Sequence, residues 1–152
     1  MVNNMDMFFL ISHIDHPEIT LMSQEEILEE VKKIDDPNRI NDQGYSYLHF
    51  ACSGHNMDII RILLELGADP NLPNSNGWPA IINAIGMKSE KNPEILKLML
   101  SYGLDLNQVI KGKTLKTSIE EFPGVEYKEI MDSWENSDKR QCRTEFIIRT
   151  NI

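Results

Sequence analysis

Apolar residues in this chain fall into short helical runs, cut by one polar phrase that recurs. In "MDIIRILLELGADPN", residues 57–71, Ile59, Ile60, Ile62, Leu63, Leu64 and Leu66 spread over a wide apolar surface at helical spacing. The pattern predicts a helix near Met57 to Leu66. It stops at Gly67, which can take the left-handed conformation that side chains resist. Upstream, Ser46 is placed to cap a shorter helix over Tyr47–Cys52, and Ser53-Gly54-His55-Asn56 predicts the turn between the two. A helix pair of this size cannot bury its own apolar faces, so neighbouring copies must stack on it.

The copies are visible. Asp36-Pro37-Asn38 recurs 33 residues on as Asp69-Pro70-Asn71, Gly44 as Gly77, Leu48 as Ile81 and Ala51 as Ala84. The spacing then stretches to 36: Ile59 matches Ile95, Leu63 matches Met99, Gly67 matches Gly103, and Asp105-Leu106-Asn107 closes the third copy. The extra residues fall in "GMKSEKNPE", a polar stretch where an insertion costs little.

These residues carry a family resemblance. "GYSYLHFA" resembles the G-x-T-P-L-H-x-A phrase of ankyrin repeats, and "IIRILLELGADPN" resembles that family's I-V-x-x-L-L-x-x-G-A-D-V-N. "GWPAIINA" keeps Gly77, Ile81 and Ala84 but has Ile82 at the family's His. "GKTLKTSI" keeps Thr114, Leu115 and Ser118 with one residue lost before it. The first copy, "MDMFFLISHI…MSQEEILEEVKKIDDPN", keeps only the second helix and the turn. The resemblance implies an all-α ankyrin-repeat solenoid of about four helix-turn-helix units, at about 6–38, 39–71, 72–107 and 108–136, with degenerate capping ends. The repeat domain is expected over 1–138 and a tail over 139–152. In "EYKEIMDSWENSDKR" the last outer helix turns Ile130, Met131 and Trp134 toward the stack. The tail, with Phe146-Ile147-Ile148, is expected to pack over the last repeat in preference to serving as a partner-binding arm.

Composition narrows the class. At 152 residues, 41% hydrophobic and 26% charged, the chain fits one soluble domain with a real core. No apolar run approaches the roughly 18 residues that span a bilayer, and the first residues lack the basic flank of a secretory signal. Two cysteines without paired spacing suggest a reduced, cytoplasmic setting. The net charge is −9, and residues 1–40 hold nine acids against three bases. Direct binding to nucleic-acid phosphates is therefore disfavoured, whereas a basic protein would be steered in.

Stretches that look chemical in isolation lose to the repeat. His49, Cys52 and His55 have a metal-like spacing, but His49 falls on the family's His, whose implied role is hydrogen bonding to the neighbouring turn. His13 and His16 have no further ligand pair, and Lys111–Thr114, "KGKT", lacks the upstream Gly of a phosphate loop. No nucleophile stands with a base. A non-catalytic module without cofactor or metal is expected.

The resemblance places partner binding on the turn tips and inner helices, where packing leaves residues free to vary. Those are Asp42, Gln43, Tyr45, Ser53 and Gly54 in the second unit, Ser75, Asn76, Trp78, Gly86 and Met87 in the third, and Lys111 and Lys113 in the fourth. Tyr45 and Trp78, 33 residues apart on successive tips, are expected as an exposed aromatic ridge. The partner is expected to be another protein, with the chain a monomer on its own. The acidity and the lack of an attached effector domain suggest an immunity or antitoxin-type inhibitor of a basic toxin or nuclease domain. A scaffold or regulatory subunit binding host or cellular proteins is the alternative, ahead of an enzyme.

Overall fold

The computed structural model describes residues 6–124 and 126–137. It is mainly helical, in stacked pairs. The helices are α1 (Met7–Ser12), α2 (Pro17–Thr20), α3 (Gln24–Val31), α4 (Tyr47–Ser53), α5 (Met57–Glu65), α6 (Ala80–Ile85) and α7 (Asn92–Ser101). The two-residue strands β1 (Val109–Ile110) and β2 (Lys113–Thr114) precede α8 (Leu115–Glu120), and a last helix, α9, covers residues 126–137.

Local chemistry explains where these elements start and stop. Ser46 Oγ accepts from the His49 N–H while the Ser46 N–H donates to His49 Nδ1, a reciprocal cap on α4. Ser23 and Glu26 do the same for α3. Asn56 caps α5, which ends at Glu65, and Gly67 follows with φ +103°. Proline at position 79 leaves α6 without a side-chain cap.

Stacking forms two layers. Helices α1, α4 and α6 pack side by side as an inner layer, and α3, α5 and α7 as an outer one. Small residues between the inner helices, Ala51, Cys52 and Ala84, are fully buried and let the backbones approach. The matched positions line the core: Leu48, Ile81 and Leu115 on the inner helices, Ile59, Ile95, Leu63 and Met99 on the outer ones. Ile119, Tyr127 and Met131 join the same core, and Lys116 Nζ donates to Asp132 and Glu135 at 2.8 and 2.9 Å, tying α8 to α9.

The first unit, whose sequence keeps the family pattern only in its second helix and turn, still has an inner helix: α1 occupies that place and packs on α4. Phe8 stacks on Tyr47 with centroids 4.2 Å apart and meets Phe50 edge-on. Aromatic packing there replaces the family phrase. The fourth tip is a small antiparallel hairpin, Val109 opposite Thr114 and Ile110 opposite Lys113. In the second unit Ile40 bridges Ser46, one residue further apart. The lost residue shortens the connection to Lys111-Gly112, both at positive φ, the conformation of a tight two-residue hairpin turn.

Trp134 is 38% exposed instead of turned into the stack, where Met131 alone of the expected three is fully buried and Ile130 is half-buried. A helix face can present only one stripe to the core, and Tyr127 and Met131, four residues apart, form it. The expected tail, 139–152, lies outside the described residues.

Candidate functional site

The tips are built on asparagine. Asn41 Oδ1 accepts from the backbone N–H groups of Gln43 and Tyr45 at 3.1 and 3.0 Å, and the Asn41 N–H donates to the Tyr45 carbonyl. Asn74 repeats the arrangement with Asn76 and Trp78 at 2.9 and 3.1 Å. With its backbone satisfied, each turn holds its other side chains outward. Asp42, Gln43, Ser75, Asn76, Lys111 and Lys113 are all exposed. Gly44, at φ +84°, lies so close to Ser75 that a β-carbon would sit 2.9 Å from the Ser75 Cβ, so the second and third tips touch.

Tyr45 and Trp78 are half-buried, which corrects the expected exposed ridge. Tyr45 folds back edge-on to His49 and Phe50, with centroids 6.0 and 6.2 Å away. Trp78 packs against the core, and Lys111 Nζ stands 5.4 Å from its ring centroid. Large rings beside a partly covered helix lose less by lying down than by standing in water. The structure still brings part of the expected set together. Gln43, Tyr45, Ser53 and Asn83 surround a hollow of about 130 Å³ floored by His49 and Phe50. Asn83 Nδ2 donates to Ser53 Oγ at 3.2 Å. Met87 stands apart from this hollow, just after the end of α6, and is 59% exposed. Lys113 pairs with Glu121.

The residues with metal-like spacing are committed to packing. His49 Nε2 donates to the Trp78 carbonyl at 3.0 Å, so its two nitrogens both serve the stack, and burial holds its pKa below the ordinary value. His55 Nε2 lies 2.9 Å from the Ala84 carbonyl. Cys52 is fully buried, and burial pushes its thiol far above the usual range, so it does not supply a thiolate. Among the described residues no group of three His, Cys, Asp or Glu could hold a metal ion, and no helix is long and apolar enough to cross a membrane.

The acidic field lies elsewhere than the tips. Glu25, Glu26, Glu29 and Glu30 are on α3, in the outer layer of the first unit, where Glu29 pairs with Lys32 and Glu30 with Lys33. The tips of the second, third and fourth units carry one carboxylate, Asp42, against Lys111 and Lys113.

Sequence reasoning missed what the repeated asparagine does. Asn38 Nδ2 donates to the Gly67 carbonyl at 3.3 Å, and its Oδ1 accepts from the Asp69 N–H at 2.7 Å. Asn71 makes the same pair with Gly103 and Asp105, at 2.9 and 2.7 Å. Each aspartate meanwhile accepts from the N–H two residues on: Asp36 from Asn38, Asp69 from Asn71 and Asp105 from Asn107. The aspartate shapes the turn and the asparagine joins it to the next unit. The regular 33-residue recurrence was the available signal, but the bond partners lie in another repeat. Sequence reading also missed a larger cleft, about 790 Å³, between α7 and α9.

Comparison with known proteins agrees with this geometry. A family profile described as ankyrin repeats (3 copies) matches residues 19–110. Ankyrin repeat protein 14 of Vaccinia virus is 35% identical over 75 residues, 49% of this chain and 31% of that protein. The chain spans under a third of the length of the curated relatives it matches. Among solved structures, an ankyrin repeat domain from Acinetobacter baumannii superposes with a TM-score of 0.68 at 18% identity, over 88% of this chain and 66% of that one. A chain from the complex of a predatory endopeptidase of Bdellovibrio bacteriovorus with its immunity protein gives a TM-score of 0.61 at 18% identity, over 86% and 64%. The chain belongs to the ankyrin-repeat family, whose stacks are non-catalytic modules that bind other proteins.

Proposed function

We propose that this chain is an immunity-type inhibitor that binds and neutralises a toxin domain, using the turn tips and the adjoining hollow at Tyr45. The carrying observation is the division of labour in the tips. Asn41 and Asn74 tie down the backbone, while Asp42, Gln43, Ser75 and Asn76 remain exposed. A rigid surface of this kind loses little conformational entropy on association. Likeness of fold to a chain from an endopeptidase–immunity complex supports the class. The balance of −6 over residues 1–40 would steer a basic partner, and the four of its nine acids that lie on α3, away from the tips, make that a long-range attraction separate from the contact surface. The reading includes a monomeric, cytoplasmic protein with Cys52 as a buried free thiol.

The test is co-purification from the source organism, followed by mixing with the product of the adjacent gene. A single stable complex is expected. Gln43→Arg with Asn76→Arg should weaken it by on the order of 2 kcal/mol while leaving the helical signal unchanged. Failure of the neighbour to bind would sink the immunity reading. Binding indifferent to both tip changes would move the contact surface elsewhere.

A further inference from the structure

The cleft between α7 and α9 has no role in the tip surface. It lies between the last two outer helices, lined by Glu90 and Glu94 on one side and Glu126 and Glu129 on the other, with Lys97, which pairs with Glu94 at 3.2 Å, as the one base among the described residues that line it. Its apolar part includes the exposed Trp134 and, four residues before it on α9, Ile130, which is half-buried and also borders the core. Four carboxylates around an apolar strip make a surface that fits a basic, partly apolar chain segment.

One such segment begins at the cleft's end. Ser137 lines the cleft, and the chain continues from it into residues 138–152. Residues 139–152 carry Lys139, Arg140, Arg143 and Arg149 against Glu145 alone, and include Phe146-Ile147-Ile148. From Glu126 to Ser137 the cleft wall rises about 16 Å at 1.5 Å per residue. Fifteen further residues reach up to about 50 Å when extended, ample for a turn and a return along the cleft. The covalent tether supplies an effective concentration of about a millimolar, so modest complementarity suffices.

We propose that residues 139–152 dock in the α7–α9 cleft of their own chain, with the arginines and lysine against its glutamates and the Phe146–Ile148 stretch over Ile130 and Trp134. This closes the last outer helix of the stack and leaves the tips free. It stands independently of the immunity reading.

Cys142 lies within the segment, and Cys52 is fully buried, so a second introduced cysteine defines one reactive pair. In the full chain, Lys97→Cys places a thiol in the cleft. Lys128→Cys places one on α9 outside the residues that line it, about 14 Å along the helix from Ser137 and equally within reach of a free tail. With a short bismaleimide, Lys97→Cys should link to Cys142 within one chain, several-fold more than Lys128→Cys, at a yield independent of protein concentration. Adding Glu94→Lys and Glu129→Lys should abolish the preference, and Arg140→Glu with Arg143→Glu should restore it, with the helical signal constant throughout. Equal yields at the two positions overturn the proposal. So do links that join two chains, which would assign the cleft to a second copy, and a preference that survives the charge reversal.

Discussion

His49 shows how much one side chain is asked to do. Its Nδ1 accepts from the Ser46 N–H at 3.2 Å, which forces the proton onto Nε2, and that proton goes to the Trp78 carbonyl at 3.0 Å. The ring is 1% exposed and burial lowers its pKa, so the folded state holds it neutral. The unfolded chain takes up a proton near pH 6.5, its ordinary value. Below that pH the unfolded state binds more protons, so this histidine's contribution is present above about 6.5 and is lost as pH falls toward the lowered folded value. Urea denaturation across this window should show the stability gap between the wild type and His49→Gln narrowing as the pH drops. A constant gap would mean that the ring is not held neutral. The sequence showed His49 on the repeat frame. Its partner, a carbonyl 29 residues away, became visible only when the next tip was in place.

At the scale of the element, two glycines of the same backbone class separate local from tertiary demands. Gly67 closes α5 at φ +103° with nothing within 4 Å of a β-carbon, so Gly67→Ala meets only backbone strain, about 1 kcal/mol. Gly44 sits at φ +84° against Ser75, and an added β-carbon there meets both that strain and a 2.9 Å contact with the next tip. Gly44→Ala should therefore destabilise clearly more than Gly67→Ala in equilibrium urea unfolding. Equal costs would show that the tips are free to part. The end of α5 was legible in "LELGADPN" because a cap is a matter of neighbours along the chain. The hairpin at Lys111-Gly112 and the packing of Phe8 on Tyr47 and Phe50 were not, since one arises from a deletion between repeats and the other from contacts between units.

Across the whole molecule, each unit contacts mainly its neighbours, so stability is roughly a sum of units and the joints between them. Asn38 and Asn71 form two such joints on the outside of the stack. Asn71→Ala removes bonds to the Gly103 carbonyl, the Asp105 N–H and the Gln108 Nε2, all of them on partly or fully exposed residues, so the expected cost is about 1–2 kcal/mol. A weakened joint should also broaden the urea transition and lower its slope, as the last units begin to unfold before the first. A loss of stability with the slope unchanged would mean that the core alone couples the units.

What the sequence by itself determined was the solenoid: its repeat length, its helix pairs, and the buried faces and connecting turn of the second unit. Those follow from periodicity and turn chemistry, which act between residues a few positions apart. Only the tertiary structure decided what each recurring side chain touches. It turned Tyr45 and Trp78 down onto the repeats, set the acidic residues of α3 apart from the tips, spent Asn38 and Asn71 on joints, and left a cleft between α7 and α9. Tyr45 lies on His49 and Phe50 of its own unit, whereas the Asn38 and Asn71 joints, the Lys111 contact of Trp78 and the cleft depend on groups about one repeat or more away along the chain. Stacking brings them within a hydrogen bond or a van der Waals contact, and no local pattern records that distance.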